Sequence, residues 1–128
     1  MKAIQEILLV GCGGMLGALS RYGIALAAAS WMQSKFPIGT LVANVLGCFL
    51  MGLLIGSGIG ESQPKAKLLL GVGFMGSLTT FSTFSAETIQ SATNGFVLTS
   101  VVNVAANLLL GFSALMIGRD HEKSMRSL

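Results

Sequence analysis

The sequence predicts an all-α integral membrane protein with four transmembrane helices, and both its composition and its long uncharged runs indicate this class. Apolar residues make up 52% of the chain and charged residues only 10%, with a mean hydropathy of +0.76. A soluble domain carries about 25% charged residues, so a soluble fold of this composition would lack polar groups to cover its surface. Lipid accepts apolar side chains directly, which removes that difficulty.

Four runs of the 128-residue chain are long enough to cross a bilayer. Residues 38–60 and 96–118 are each 23 residues without a charge, residues 68–86 give 19, and residues 7–34 give 28 interrupted only by Arg21. About 20 apolar residues span the hydrocarbon core as a helix. The prediction is a single four-helix membrane domain over 1–128, with helices at about 4–31, 38–60, 68–92 and 96–118. The connecting segments are a loop at 32–37, a polar loop at 61–67, a turn at 93–95 and a polar tail at 119–128.

The net charge of +3 is distributed unevenly between the two ends of the predicted bundle. Four crossings place both termini and the 61–67 loop on one side of the membrane. That side carries six basic residues: Lys2, Lys65, Lys67, Arg119, Lys123 and Arg126. The opposite loops carry only Lys35, so the positive-inside rule predicts that both termini face the cytoplasm. The basic residues form no patterned face, and no nucleic-acid partner is expected.

The sequence contains no arrangement typical of an enzyme. It has no Ser/His/Asp set, no carboxylate pair and no phosphate-binding loop, and its one histidine, His121, lies in the polar tail. Cys12 and Cys48 stand alone in apolar segments, which is typical of small buried residues rather than of a metal or disulfide site. The sequence therefore predicts that the protein is not an enzyme.

The segment from Gly73 to Ser85, GFMGSLTTFSTFS, combines glycines, hydroxyl residues and phenylalanines at a position that corresponds to mid-membrane. A broken membrane helix needs glycines and hydroxyls, because the freed carbonyls must find partners inside the bilayer. We therefore expect the third helix to break between Gly76 and Thr80. Carbonyls from two subunits that converge there would form a hard-oxygen site suited to a small cation such as sodium.

Phe81 and Phe84 lie on one face of this helix, among the hydroxyl residues Ser82, Thr83 and Ser85. An aromatic ring has a negative face and a positive edge, so ring edges can line a path for an anion without a fixed charge. Isolated phenylalanines are usually core or lipid-facing residues, and that alternative stays open.

Three asparagines lie inside the predicted membrane segments. Asn44 is in the second helix, one turn after Thr40, while Asn103 and Asn107 lie one turn apart in the fourth. An amide nitrogen donates hydrogen bonds and can replace part of the water shell of an anion. The alternative role is hydrogen bonding between helices, worth about 0.6 kcal/mol on average.

Arg21 and Glu87 are the charged residues well inside the segments, and intramembrane charges are functional candidates by default. Arg21 is expected to attract anions or to lock the first helix against an interface. Glu87 is expected near a helix end, half solvated. Both are counted among the candidate pathway residues.

Many of the 17 glycines are spaced for close helix packing. Gly13 and Gly17 form one GxxxG pair, and Gly52, Gly56 and Gly60 form a second row. Small residues at this spacing let helix backbones approach closely within a bilayer. The spacing is compatible both with dimerisation and with packing inside one subunit. Four helices of this length enclose little interior, so one chain alone has little room for a pathway. If the protein forms a pathway, we therefore expect an oligomer.

Three stretches of the chain carry a family resemblance that covers nearly all of it. They are GGMLGALSRY at 13–22, GTLVAN at 39–44 and GFMGSLTTFSTFSAE at 73–87, the last being the most specific. They resemble the first-helix, second-helix and third-helix motifs of the Fluc (CrcB) fluoride channel family.

The resemblance implies a channel that lets fluoride leave the cell passively across the cytoplasmic (inner) membrane of a bacterium, which protects against fluoride toxicity. It implies an antiparallel, dual-topology homodimer with two narrow fluoride pathways. In those pathways Phe81 and Phe84 would contribute ring edges and Asn44 a polar group. The polar track of the family on the fourth helix falls on Asn103 and Asn107.

The resemblance also implies a structural sodium ion at the dimer centre, held by the backbone carbonyls of Gly76 and Thr79 from both subunits. Two positions depart from the family pattern: Ser77 stands where a second glycine is usual, and Gly111 replaces a usual hydroxyl residue. The six-to-one distribution of basic loop residues is stronger than dual topology favours. Some family members pair two different, oppositely oriented chains, so a heterodimer stays open as the alternative.

Two other functions suit a four-helix membrane protein of this size. A small multidrug antiporter needs an embedded carboxylate in its first helix, but Glu6 lies at the edge and the next acidic residue is Glu61. A requirement for a proton gradient would favour the antiporter. A non-transporting scaffold would use its asparagines and hydroxyls for packing alone and would pass no ion.

Overall fold

A computed structural model of the chain describes residues 2–31 and 35–127, and the regular elements of that part are all helical. In chain order they are α1 Lys2–Trp31, α2 Ile38–Gly56, α3 Ile59–Ser62, α4 Pro64–Ala66, a π-helix Lys67–Met75, α5 Gly76–Leu78, α6 Phe81–Thr93 and α7 Val97–Arg126. Four helical stretches of the described chain are long and apolar enough to cross a membrane: Lys2–Ser30, Ile38–Gly56, Pro64–Thr93 and Val97–Arg126. The prediction of an all-helical protein with four membrane-spanning segments is confirmed.

Helices α2 and α7 form one closely packed pair, and their glycines explain the close approach. A methyl group at Gly52 would overlap the carbonyl oxygen of Leu115, and one at Gly118 would overlap the carbonyl oxygen of Phe49. Backbone therefore lies directly against backbone along this pair. In lipid, such van der Waals packing replaces the hydrophobic effect as the force that holds helices together.

The second pair consists of α1 and the π-helix. Gly13 and Gly17 of α1 face the carbonyls of Leu69 and Phe74, where added methyl groups would overlap them. The glycine spacing on α1 and α2 thus serves packing inside one subunit. Of the two roles that the sequence allows for the glycine rows, the structure assigns these residues to the intrasubunit one.

Helix α2 ends at Gly56, so the predicted boundary at Gly60 is wrong. Gly58 has a φ of +65°, a conformation that favours glycine and turns the chain out of the helix. Gly60 follows this turn and therefore does not continue the glycine row of α2.

The predicted polar loop at 61–67 is largely helical. Pro64 occupies the first turn of α4, where its missing N–H costs no hydrogen bond. The third segment therefore begins at Pro64, four residues before the predicted start at Leu68. The path continues as the π-helix, a wider form than the α-helix predicted there. No residue in this stretch marks the π-helix in the sequence.

The predicted end of the fourth helix at residue 118 is also wrong, because α7 continues as a helix through polar residues to Arg126. The Arg126 guanidinium donates to the carbonyl of Ser57, just past the end of α2, and to that of Gly56 at 3.4 Å. Lys123 and Arg126 lie in the last turn, where positive charge favours the helix dipole. A polar sequence can remain helical once such contacts hold it.

The two remaining connections agree with expectation where they are described. The turn at 93–95 is present, and Gly95 adopts a φ of +85° that suits a glycine. Of the loop predicted at 32–37, residues 32–34 lie outside the described part, and Pro37 forms the N-cap of α2.

We expect Gly52→Ala to lower the free energy of unfolding by about 1–3 kcal/mol, because the added methyl group overpacks the contact with α7. The control is Gly23→Ala in α1, where no atom lies within 4 Å of an added methyl group. Denaturant unfolding in detergent micelles measures both variants. Equal stability of the two variants would contradict the backbone-to-backbone packing.

Candidate functional site

The helical path of the third segment is interrupted after α5. Thr79 has φ −82° and ψ 153°, and Thr80 has φ −148° and ψ 117°, so both residues are extended. Helix α6 then begins at Phe81, and the Thr80 hydroxyl caps it by accepting a hydrogen bond from the Thr83 amide at 3.2 Å. This interruption falls within the stretch from Gly76 to Thr80 where the sequence predicts a break.

Side chains from two other helices satisfy backbone groups that the interruption frees. The Thr80 amide donates to Asn44 Oδ1 on α2 at 2.8 Å, and Arg21 Nε on α1 donates to the Ser77 carbonyl at 3.1 Å. In a continuous helix these two groups would bond to the chain itself. Because lipid offers no hydrogen bonds, unsatisfied groups would cost several kcal/mol each, and the two side chains remove that cost. Arg21 therefore locks α1 against the interruption.

The backbone carbonyls of Gly76 and Thr79 are among those at the interruption that lose their helical hydrogen bonds. The donor to Gly76 in a continuous helix would be the Thr80 amide, which bonds to Asn44 instead. The donor to Thr79 would be the Thr83 amide, which bonds to the Thr80 hydroxyl. The carbonyls of Gly76 and Thr79, the predicted sodium ligands, are thus available as hard oxygen donors.

The three intramembrane asparagines form one connected line, called here the asparagine line. Asn44 Nδ2 donates to Asn107 Oδ1 at 2.9 Å, and Asn107 Nδ2 donates to Asn103 Oδ1 at 3.0 Å. Asn103 Nδ2 then donates to the Thr88 hydroxyl on α6 at 2.8 Å. Asn103 is buried, with 1% of its surface exposed. The line therefore ties α2, α7 and α6 together with uncharged hydrogen-bonding groups.

Thr88 and Ser100 also belong to this network, although neither was predicted from the sequence. Thr88 donates to the Phe84 carbonyl at 2.7 Å, and Ser100 Oγ donates to the Thr88 carbonyl at 2.8 Å. Thr88 lies one helical turn after Phe84, and Ser100 lies one turn before Asn103. A search for hydroxyl residues at helical spacing from the predicted ones would have found both.

Glu87 pairs with Thr40, and it lies in the middle of α6 rather than near a helix end as expected. The Thr40 hydroxyl donates to Glu87 Oε1 at 2.8 Å. The second oxygen, Oε2, is buried, and no donor in residues 2–31 or 35–127 reaches it. The residue as a whole is partly exposed, so the expected partial solvation agrees with the structure, whereas the expected position near a helix end is wrong.

The two phenylalanines form a pair at the start of α6. Their ring centroids are 5.7 Å apart with an angle of 48° between the rings, and Phe81 is 80% exposed while Phe84 is half-buried. The neighbouring hydroxyls bond locally: Ser85 Oγ donates to the Phe81 carbonyl at 2.8 Å, and Thr80 Oγ1 donates to Thr83 Oγ1 at 3.1 Å. Ser82 Oγ lies 3.4 Å from Thr80 Oγ1. A single chain therefore leaves Phe81 on an open surface.

Neighbouring residues compensate for the two departures from the family pattern. The Ser77 hydroxyl lies against Gly14 of α1, 3.2 Å from where a methyl group there would be, so Gly14 provides the room that the serine needs. Beside Gly111 on α7, the sulfur of Cys48 fills the space at 3.5 Å from the position of an added methyl group. The thiol thus occupies the next turn along α2 from Asn44.

The fold and this site define a class of protein: a small multi-span membrane protein with two extended residues between α5 and α6, a pair of phenylalanine rings and a line of uncharged polar groups between helices. The sequence profile of the family described as CrcB-like protein, Camphor Resistance (CrcB), matches residues 8–119. The chain belongs to the CrcB family.

Relatives at 41–44% identity extend over most of the chain. The fluoride-specific ion channel FluC of Dehalococcoides mccartyi is 44% identical over 115 residues, which are 88% of this chain and 88% of that protein. The proteins of the same name from Shewanella woodyi and Shewanella pealeana are 42% and 41% identical over 118 residues, covering 91% of this chain and 95% of each relative.

We expect Asn44→Ala to destabilise the protein by about 2 kcal/mol or more, because it leaves the Thr80 amide and Asn107 Oδ1 without a partner in an apolar interior. Asn94→Ala, in the exposed turn after α6, is the matched control and should change stability little. Thermal unfolding in detergent tests the pair. An unchanged unfolding midpoint for Asn44→Ala would show that the side chain does not hold the interruption.

Proposed function

We propose that this chain forms a fluoride-specific ion channel, as its relatives are named, and that it lets fluoride cross the membrane passively. The observation that carries the proposal is the family match over residues 8–119, which includes the interruption and the phenylalanine pair. A channel of this kind catalyses no reaction and is not an enzyme. Its physiological role is export of fluoride that enters an acidified cell as the neutral acid, across the cytoplasmic (inner) membrane of a bacterium.

The polar groups near the interruption suit a small, strongly hydrated anion. A pore that conducts fluoride must replace water with donors that bind weakly enough to release the ion. Asn44 Nδ2 makes one short bond to Asn107 and one long bond of 3.4 Å to the Thr80 carbonyl. The long bond is the weaker of the two, so its N–H can be redirected toward a passing anion with the smaller loss of free energy. The α6 helix also begins at Phe81, which places the positive end of its dipole at the interruption.

A second copy completes the pathway in this proposal. Phe81 is 80% exposed in a single chain, so most of its ring, apart from the side near Phe84, would meet lipid or another subunit. An antiparallel homodimer that inserts with dual topology would enclose the two phenylalanines of each chain in two separate pathways. Their ring edges would then face fluoride without a fixed charge. Chloride would be excluded because each pathway is narrow and because its lining would not coordinate chloride strongly.

The freed carbonyls support the proposal of a central sodium ion. Residues 2–31 and 35–127 contain no cluster of three or more His, Cys, Asp or Glu side chains that could hold a metal. The carbonyls of Gly76 and Thr79 are hard oxygen donors, and two from each of two copies would give four. A sodium ion there would neutralise converging carbonyl dipoles and hold the two interruptions together. Its role is structural, and fluoride movement is assigned to other residues.

Neither alternative function gains a supporting observation. An antiporter with a carboxylate in its first helix would need a buried acid along α1, but Glu6 lies near the helix start and beside Lys2 in the lining of a surface cavity. A scaffold would be related to proteins without transport activity, whereas the relatives carry the name of a channel.

The direct test is fluoride efflux from liposomes that contain the purified chain alone, recorded with a fluoride electrode. The proposal predicts rapid fluoride efflux and no chloride efflux above that of protein-free liposomes. Efflux of both halides at similar rates would contradict fluoride specificity. If fluoride efflux appears only with a second, different chain, the homodimer is wrong and the heterodimer replaces it.

We expect Phe81→Ile to slow fluoride efflux at least tenfold, a loss of about 1.4 kcal/mol of transition-state stabilisation, because an aliphatic side chain has no positive edge. Phe112→Ile is the control, since Phe112 is a similarly exposed phenylalanine on α7, at 68%. Size-exclusion chromatography confirms that both variants keep the wild-type oligomer. Wild-type flux in Phe81→Ile would remove the ring edges from the pathway.

Asn44→Asp should also impair fluoride flux, because a hydrogen-bond donor becomes a negative charge that repels the anion. The carboxylate can still accept from the Thr80 amide, so the interruption keeps that support. The measurement is efflux from liposomes with matched protein content, together with the oligomeric state. Normal fluoride transport in a folded Asn44→Asp protein would exclude Asn44 from the pathway.

A further inference from the structure

A groove opens on the surface of the chain beside the N-terminal part of α1, at the end of the bundle with six basic residues. It has a volume of about 430 Å³ and lies between α1 and the start of the third segment. An adjoining hollow of about 340 Å³ shares Gln5, Leu9 and Lys65 with it and reaches down α1 as far as Cys12. The two form one continuous feature, called here the α1 groove.

The α1 groove is lined by both basic and apolar side chains. Its lining combines the basic side chains of Lys2 and Lys65 and the amide of Gln63 with the apolar side chains of Leu9 and Leu68. From Lys2 to Cys12 the helix rises by about 15 Å. That length is half of the roughly 30 Å hydrocarbon core of a bilayer, so the groove matches one leaflet.

The side chains that line the α1 groove carry a net positive charge. Two ammonium groups face a single carboxylate, Glu6. In the part of the chain that the structure describes, neither lysine lies within ion-pair distance of an acidic side chain. Both lysines are exposed and can therefore bind an anionic group from outside the protein.

We propose that the α1 groove binds an anionic phospholipid, with the phosphate between Lys2 and Lys65 and one acyl chain along Leu9 toward Cys12. Basic pockets between transmembrane helices bind anionic headgroups in this way, and the apolar lining residues Leu9 and Leu68 favour a lipid over free phosphate. A bound lipid would bridge α1 and the start of the third segment, because residues of both line the groove.

The test compares phosphatidylglycerol with phosphatidylcholine of the same acyl chains, added to the purified protein in a mild detergent. A ligand that binds only the folded state raises the unfolding midpoint by mass action. We expect phosphatidylglycerol to raise the midpoint by several degrees more than phosphatidylcholine. The variant Lys2→Ser/Lys65→Ser should lose most of that difference.

The control variant, Lys67→Ser/Lys123→Ser, removes the same charge from the same end of the protein without touching the α1 groove. It should keep the wild-type difference between the two lipids. An equal loss in both variants would overturn the proposal in favour of general charge attraction. Inorganic phosphate that stabilises as much as phosphatidylglycerol would overturn it in favour of a free-anion site.

Native mass spectrometry gives a second readout that requires no variant to fold well. The wild-type protein should retain phosphatidylglycerol and release phosphatidylcholine at the same collision energy. Equal retention of the two lipids would contradict the site. Rapid disulfide formation between two copies through Cys12, in a Cys48→Ser background, would instead show that a second chain covers the groove. None of these measurements depends on fluoride flux.

Discussion

The hydrogen bond between the Thr80 amide and the Asn44 side chain makes the interruption of the third segment possible in a medium without water. Two extended residues there remove helical bonds, and lipid supplies no substitute. Asn44 on α2 and Arg21 on α1 each satisfy one freed backbone group, at 2.8 Å and 3.1 Å. The diversion of the Thr80 amide to Asn44 is also what frees the Gly76 carbonyl. The Asn44 side chain therefore stabilises the interruption and at the same time leaves the Gly76 carbonyl oxygen free of its helical hydrogen bond.

The glycine contacts explain how helices with so few polar groups can hold such a site. Backbone lies against backbone between α2 and α7 and between α1 and the π-helix, because an added methyl group would overlap carbonyl oxygens at Gly13, Gly17 and Gly52. This places α2 and α7 close enough for Asn44 and Asn107 to bond directly at 2.9 Å. The asparagines therefore serve packing between helices, and Asn44 is in addition an uncharged donor that reaches the interruption. Both roles considered for them from the sequence can belong to the same residues.

Uncharged runs and residue types predict the number of spans, the stretch that contains the interruption and most of the polar residues around it. They do not reveal the end of α2, which depends on the positive φ of Gly58, or the extension of α7, which depends on a distant contact between Arg126 and Ser57. They also miss the pairing of Glu87 with Thr40, since the two residues are 47 positions apart and meet only through the packing of α6 on α2. Long-range contacts of this kind leave no local pattern in a sequence.

Hydrogen exchange at the Thr80 amide, followed by NMR in micelles, tests most directly whether Asn44 holds the interruption. Exchange rates report how often a given hydrogen bond opens. The Thr80 amide has no helical partner, yet its exchange should be as slow as that of amides inside α6, such as Ile89. In Asn44→Ala it should become fast while the amides of α6 stay protected. Fast exchange of Thr80 in the unaltered protein would contradict the account, because the interruption would then be open without its support.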